Sequence, residues 1–166
     1  NSELPPLDKC YMGDTQAQTS RAFMFGDSHA NHYTGFVDEM AKEGNVAVID
    51  YTLDRCPPIF DIYWGANSYK ASKCKSRNDV ARQYIFENDF EYVILAASWP
   101  TPKTNMIFVD NKRMQNYSEK EQFLKGKISA TILKLIDAGI NPVLIMDTPF
   151  LGKVKPNCPI KKLQFD

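Results

Sequence analysis

The sequence predicts an α/β protein, a flavodoxin-like three-layer α/β/α sandwich around a parallel sheet. Two observations point to this class. Short apolar runs with the length of buried strands recur along the chain, and amphipathic helical patterns separate them. The runs are residues 22–25, 46–51, 92–97 and 142–146. Because strands and helices alternate in the order β-α-β-α-β-α-β, we expect parallel strands with helices on both faces of the sheet.

The first strand and the first helix are marked by a glycine and a serine. The strand stops at Gly26-Asp27, and Ser28 is placed to cap the helix that follows. That helix closes at Gly44, where a C-terminal glycine belongs. Its apolar side chains recur at helical spacing, at Tyr33, Phe36, Val37, Met40 and Ala41.

Capping patterns delimit the later elements. Residues 52–75 are expected to be irregular, with the second helix beginning near Ser76. Residues 98–117 are expected to form a long loop, and loops of that length are often functional. The third helix is predicted to begin at the capping box Ser118-x-x-Glu121.

Size and charge limit the possible functions. The chain has 166 residues, enough for one domain, and its 20 basic side chains balance 20 acidic ones. This balance disfavours a nucleic-acid binder and a polybasic membrane-surface module, since both carry a basic excess. The longest apolar run is far shorter than the about 20 residues that cross a bilayer. Residues 1–20 are polar and predict a linker or N-terminal extension before a domain over residues 21–166.

Four widely spaced cysteines favour an oxidising compartment. Their even count, without a C-x-x-C pair, predicts two disulfides rather than a redox motif or a zinc ribbon. Three pairings are possible. We expect Cys56–Cys74, which closes a Pro-rich loop, and Cys10–Cys158, which ties the chain ends. The alternative is four buried free thiols in a cytosolic protein. With only two histidines in the chain, no metal site and no cofactor are expected.

The candidate site lies where the first and third strands end. Ligands bind at the carboxyl ends of strands in open α/β sheets, and a flavodoxin-like order makes these two strands neighbours. Residues 26–29 would then face Ser98 and Trp99. Ser28 would hold its hydroxyl at a helix N-terminus, where free N–H groups stabilise an oxyanion, as an acyl-enzyme nucleophile requires. The alternative is that Ser28 only caps the helix.

Three sequence features follow one another along residues 21–148. They are Phe25-Gly26-Asp27-Ser28-His29-Ala30, the segment Cys56-Pro57-Pro58 with Cys74 before the next helix, and a strand that ends in Ser98-Trp99. In this order they resemble the SGNH (GDSL-type) hydrolase superfamily, in its GDSH form fused to acyltransferase-3 membrane proteins.

The resemblance implies a domain on the periplasmic or extracytoplasmic side of a bacterial inner membrane. Such domains take part in O-acylation of polysaccharides such as lipopolysaccharide O-antigen. It implies that Ser28 is the nucleophile and that its N–H helps to form the oxyanion hole. Asp27, His29, Ser98 and Trp99 would bind the oxyanion or the substrate. The acyl group, expected to be acetyl, would come from a membrane-embedded acyltransferase domain of the same polypeptide, and a polysaccharide would accept it.

The sequence departs from the family pattern in two respects. The family takes further oxyanion donors from a glycine after the second strand and an asparagine after the third. Residues 51–56 contain no glycine, and Trp99 stands near the place of the asparagine. The late Asp-x-x-His motif, which carries the family's base and its orienting acid, is absent. We therefore expect an altered oxyanion hole, a missing C-terminal part, a nearly inert fragment and an exposed fourth strand.

Several nearby residues have competing interpretations. His32 is four residues after Ser28 and could act as a base, but a structural role is favoured because the angle is poor. His29 is expected to line the pocket or to bond a neighbouring loop. Trp99 could stack on a sugar or serve in packing, and Asp147 is expected to have a structural or loop-capping role.

The expected function is therefore acyl transfer to a cell-surface polysaccharide through a serine acyl-enzyme. One alternative is a carbohydrate esterase of the same fold, with water as the acceptor. Another is a non-catalytic module that only binds glycan.

Overall fold

The computed structural model describes residues 10–17 and 20–147. In chain order its elements are β1 (Tyr11–Gly13), β2 (Arg21–Gly26), α1 (Thr34–Glu43), β3 (Ala47–Thr52), β4 (Tyr63–Trp64), α2 (Ser68–Glu87), β5 (Tyr92–Ala96), β6 (Ile107–Val109), β7 (Lys112–Arg113), α3 (Tyr117–Asp137) and β8 (Asn141–Ile145). A short 3-10 helix, Ala30–Tyr33, precedes α1. Within these residues no helix has the length and apolar character to cross a membrane.

The central sheet has five strands in the order β1-β3-β2-β5-β8. The pair β1–β3 is antiparallel, and the other neighbours are parallel. This architecture confirms the predicted α/β class, including the adjacency of β2 and β5. Gly26 lies opposite Thr52 of β3 and Ala96 of β5, so the carboxyl ends of these strands meet at one edge. A small antiparallel sheet is formed by β4, β6 and β7.

Alternation along β2 sends its side chains into two hydrophobic layers. Phe23 packs with Ile85 of α2 and Leu135 of α3 on one face of the sheet. Met24 packs with Val37 of α1 on the other face. Burial of a side chain of this size contributes about 1.5–3 kcal/mol, so burial on both faces fixes β2 at the centre.

The last strand, β8, forms an edge of the central sheet, as predicted for the fourth apolar run. It pairs with β5, and no other described strand lies on its outer side. Val143 and Leu144 are each 41% exposed. They point to opposite faces because adjacent strand residues alternate, so β8 is only partly covered on both faces.

The N-terminal segment differs from the linker or extension predicted over residues 1–20. Its part Tyr11–Gly13 is strand β1, in which Tyr11 pairs with Ile49. The Gly13 N–H also donates to the Asp38 carboxylate of α1, at 2.7 Å. A three-residue strand has no apolar run of its own. Its place is set by partners far along the chain, which sequence periodicity does not show.

The two later helices begin before the predicted serines. α2 extends about two turns ahead of Ser76, so part of the segment 52–75 is helical, and α3 begins one residue before Ser118. In both cases an asparagine is the N-cap. The side-chain oxygens of Asn67 and Asn116 accept the N–H three residues on, at 3.0 and 3.1 Å. The predicted long loop over 98–117 contains β6 and β7.

The predicted disulfide between Cys56 and Cys74 is present, with Cα atoms 5.5 Å apart. It joins the loop after β3 to the second turn of α2. Cys10 forms no disulfide with any described residue. Its predicted partner, Cys158, lies outside the described residues, so that pairing stays a prediction.

Removal of this disulfide by Cys56→Ser/Cys74→Ser is expected to lower the free energy of unfolding by about 3 kcal/mol. The reason is that the bond closes a loop with a sequence separation of 18, which restricts the unfolded chain. Denaturant unfolding of the double variant beside the oxidised wild type measures the difference. A loss below about 1 kcal/mol would contradict it.

Candidate active site

The loop after β2 leaves the sheet at a position that only glycine can occupy. A Cβ on Gly26 would collide with the carbonyl oxygen of Ala96 and with the Cβ of Ala30. The start of the 3-10 helix therefore lies directly over the end of β2. This crowding brings Ser28 to the edge where β2, β3 and β5 end.

Asp27 joins the two loops that were predicted to face each other. Its buried carboxylate accepts the N–H of His29 at 2.9 Å and the N–H of Ser98 at 3.1 Å. These bonds to backbone donors give Asp27 a positioning role. They also engage the Ser98 N–H, so that this group is not free to bind an oxyanion.

Ser28 is free of the capping role that was its alternative interpretation. The 3-10 helix is capped at His29 and α1 at Tyr33, and neither cap uses a side-chain hydrogen bond. Ser28 is half-buried. Within the described residues, neither its hydroxyl nor its N–H has a hydrogen-bond partner. Both groups are therefore available, the hydroxyl to attack and the N–H to hold an oxyanion.

The first N–H after β3, that of Leu53, is not free to act as an oxyanion donor. The Leu53 N–H donates to the carbonyl oxygen of Gly26 at 3.1 Å. At the ends of β3 and β5, the N–H groups of Leu53 and Ser98 are thus both engaged in holding the Ser28 loop. This agrees with the sequence, which lacks the family's glycine and asparagine at these places.

His29 reaches the loop after β8. Its Nδ1 lies 2.9 Å from Oδ1 of Asp147, a contact across 118 positions. The side chains of His29 and Asp147 are 39% and 28% exposed. The hydrogen bond to Asp147 is the main reason that the pKa of His29 is raised above its usual 6.5, and desolvation opposes it. His32 is exposed and its ring lies 5.4 Å from that of His29.

Asp147→Asn is expected to lower the pKa of His29, because the substitution removes the charge that stabilises the protonated ring. The raised folded-state pKa means that the pair adds stability below pH 6.5 and loses it as pH rises through the folded value. The stability difference between wild type and variant should therefore be largest at mildly acidic pH. NMR titration of the His29 ring, with denaturant unfolding across pH, measures both. An unchanged titration in the variant would contradict the assignment.

Trp99 and Tyr33 hold the end of β8 beside the site. The Trp99 indole N–H donates to the carbonyl oxygen of Ile145 at 2.9 Å. The Tyr33 hydroxyl donates to that of Met146 at 3.0 Å. The indole N–H of Trp99 is therefore not free to replace the oxyanion donor that the family takes from an asparagine. Its ring packs against the core, as one of its two predicted interpretations required, and stacking on a sugar stays a prediction.

Arg77 of α2 is a site residue that sequence analysis missed. Its guanidinium donates to three backbone carbonyl oxygens that surround the strand ends, those of Gly26 (3.0 Å), Tyr51 (2.7 Å) and Cys56 (3.1 Å). Burial lowers the pKa of Arg77 to about 10. The available signal was its neighbour Asn78, a fully buried amide in a stripe with Cys74, Ala81 and Ile85. A polar residue inside such a stripe indicates a buried hydrogen-bond network at that point of the helix.

A family model described as the SGNH domain (fused to AT3 domains) matches residues 1–165. The chain belongs to this SGNH family. The resemblance found in the sequence is thus confirmed, and the loop with Ser28 is the GDSH segment of an SGNH domain. No curated protein sequence matches the chain.

One solved structure similar to this SGNH domain is the lipopolysaccharide acetyltransferase periplasmic domain of Salmonella ser. Paratyphi A. The two chains are 17% identical with a TM-score of 0.50. The match covers 80% of this chain and 46% of the other, so the SGNH domain described here spans about half of that chain. At this identity the likeness shows the fold alone. Within the described residues, no cluster of three His, Cys, Asp or Glu side chains could hold a metal ion.

Proposed function

We propose that this SGNH domain transfers an acetyl group to a sugar hydroxyl of a cell-surface polysaccharide through an acyl-enzyme on Ser28. The observation that carries the proposal is the state of Ser28. Its hydroxyl and its N–H are both without partners among the described residues, at the edge where three parallel strands end. Family membership with AT3 fusion supports a membrane-embedded acyl donor in the same polypeptide, and an extracytoplasmic site of action. The lipopolysaccharide acetyltransferase neighbour supports a polysaccharide acceptor.

The reaction has two steps, and both take place at the carbonyl carbon of the acyl group. Ser28 Oγ attacks the acyl carbonyl and gives its proton to a general base, which passes that proton to the donor's leaving group as the bond to it breaks. The sugar hydroxyl then attacks the same carbon and gives its proton to the base. The bond between Ser28 Oγ and the acyl group breaks, and the base returns this proton to Ser28 Oγ. The Ser28 N–H donates to the carbonyl oxygen while that oxygen carries negative charge.

In the family pattern the general base comes from an Asp-x-x-His motif. The sequence contains no such motif. His29 is engaged through Nδ1 with Asp147. In this proposal the pair lines the site and braces the loop after β8 against the Ser28 loop.

Acyl trapping on Ser28 tests the proposal directly. Full-length protein is mixed with p-nitrophenyl acetate, quenched in acid, digested and analysed by mass spectrometry. An acetyl group is expected on the peptide that contains Ser28. Ser28→Ala should lose the label, whereas Ser118→Ala, an exposed serine in the first turn of α3, should keep it.

The fate of the trapped acetyl group separates the rival functions. Added polysaccharide acceptor should become acetylated faster than free acetate appears. Release of acetate alone would replace acyl transfer by esterase activity. The absence of any label on Ser28 would favour the glycan-binding module instead.

A further inference from the structure

A cavity of about 400 Å³ lies beside the Ser28 loop. It is bounded by the loop after β3, by the first two turns of α2 and by the Cys56–Cys74 disulfide. Its volume is within the range of small-molecule binding sites. Ser28 is not among its lining residues, which include the two disulfide cysteines and the two residues that bind the Gly26 carbonyl oxygen, Leu53 and Arg77.

The cavity is connected to the nucleophile through one carbonyl group. Leu53 and Arg77 both line the cavity, and both donate to the carbonyl oxygen of Gly26. Gly26 is two residues before Ser28, so their Cα atoms are at most about 7 Å apart. A sugar in the cavity would therefore neighbour a sugar presented to Ser28.

The lining carries a local excess of positive charge in a chain whose formal net charge is zero. Its charged members are four cations, Arg55, Lys70, Lys73 and Arg77, and one carboxylate, Asp54. Asp54 pairs with Arg55 at 3.3 Å. Lys70 and Lys73 are exposed and have no ion pair within the described residues.

Two further features indicate that an anion would be stabilised there. The first turn of α2 contains Lys70 and no acidic residue, although the positive end of a helix dipole favours anions over cations. Arg77 is a largely buried cation whose hydrogen bonds within the described residues go to neutral carbonyl and amide oxygens, and Asp27 and Asp50 act on it only through their charges. An anion in the cavity would offset both unfavourable arrangements.

The remaining lining selects a saccharide rather than a small inorganic anion. It is apolar or small, and consists of Leu53, Cys56, Gly65, Ala66, Cys74 and Met106. Apolar walls with a few charged groups suit a ring whose C–H faces pack while one substituent is charged. A small inorganic anion has no apolar surface that could pack against such walls.

We propose that this cavity binds an acidic sugar of the acceptor polysaccharide, with a uronic acid carboxylate held by Lys70 and Lys73. Arg55 and Arg77 add positive potential around it. The sugar to be acylated would follow along the chain at Ser28. The inference rests on the proposed acyl transfer to polysaccharide and names the chemical class of the acceptor.

The test measures binding of oligogalacturonate to full-length Ser28→Ala protein in detergent by isothermal titration calorimetry. The matched neutral ligand is the fully methyl-esterified oligomer, which has the same backbone without charge. The acidic oligomer should bind at least tenfold more tightly, and more weakly as NaCl is raised. Lys70→Gln/Lys73→Gln should lose at least tenfold in affinity. Lys103→Gln/Lys125→Gln, which removes two exposed lysines outside the cavity lining, should bind as the parent does.

Several binding results would overturn the inference. They are equal binding of the acidic and esterified oligomers, no binding of either, and unchanged affinity in Lys70→Gln/Lys73→Gln. Inorganic phosphate that binds more tightly than the oligomer would also overturn it, since the site would then be one for simple anions. Because the Ser28→Ala background forms no acyl-enzyme, failure here leaves the proposed function intact. Failure of acyl trapping with intact binding removes the proposed function instead.

Discussion

Ser28→Ala is expected to reduce acyl transfer by the full-length protein by about 10³-fold or more. The hydroxyl oxygen of Ser28 forms the bond to the acyl group in the proposed mechanism, and alanine has no group to replace it. The remaining N–H still binds an oxyanion but cannot carry the acyl group. Transfer of radiolabelled acetyl to polysaccharide in membranes measures the loss, with Ser118→Ala as the matched control.

The same substitution should change the free energy of unfolding by no more than about 0.5 kcal/mol. Ser28 is not a helix cap, and its hydroxyl has no hydrogen bond within the described residues. Thermal unfolding of wild type and variant separates a catalytic defect from a folding defect. A Ser28→Ala protein that transfers acetyl at the wild-type rate would exclude the acyl-enzyme.

Arg77→Met is expected to lower the free energy of unfolding by about 2–3 kcal/mol and to abolish most of the activity. Methionine keeps much of the side-chain volume but leaves the carbonyl oxygens of Gly26, Tyr51 and Cys56 without their guanidinium donor. The Gly26 oxygen keeps the Leu53 N–H as a donor, whereas a buried acceptor left without a partner costs about 1–3 kcal/mol. Relief of the buried charge offsets part of the sum. The Ser28 loop loses one of the two hydrogen bonds at the Gly26 carbonyl oxygen, so activity falls even in the variant that is still folded.

Two further variants define the cause of the Arg77 effect. Arg77→Lys keeps the charge but cannot present a planar fork to three oxygens, so an intermediate loss is expected. Arg82→Met on the same helix removes a partly exposed guanidinium that pairs with Asp61 at 2.6 Å, and should cost about 1 kcal/mol or less. Denaturant unfolding of all three variants gives the comparison. An Arg77→Met protein as stable as Arg82→Met would show that the carbonyl contacts contribute little.

The strands could be predicted from the sequence because each buried strand is a local apolar run. Residues 22–25 and 92–97 correspond to β2 and β5, whose burial on both faces leaves no polar alternation. The first residues of the helices were harder to predict from the sequence. Serine patterns at Ser76 and Ser118 resembled caps, but both lie inside helices that asparagines cap. A capping motif describes only three or four residues, and packing decides whether the helix extends beyond it.

The candidate site was predictable to the extent that it is local. Residues 26–29 form a continuous segment at a strand end, and the placement of Ser28 there followed from pattern alone. The expectation that His29 bonds a neighbouring loop is confirmed by its contact with Asp147, although the partner could not be named. Arg77 was missed because its role depends on three carbonyl oxygens, brought together only by the folded sheet. No periodicity in one sequence encodes such a convergence.

The hydrogen bonds of Asp27 and His29 also determine when the Ser28 loop can be held in place during synthesis and folding. The loop with Ser28 is synthesised early, yet it is held by Ser98, 71 positions later, and by Asp147, 118 positions after His29. Contacts of such separation form slowly, because a long loop must close before they can contribute. A nascent chain therefore carries an incompletely held Ser28 loop until β5 and β8 have both emerged and joined the sheet. The assembled edge around Ser28 is among the last features that this domain acquires as it folds.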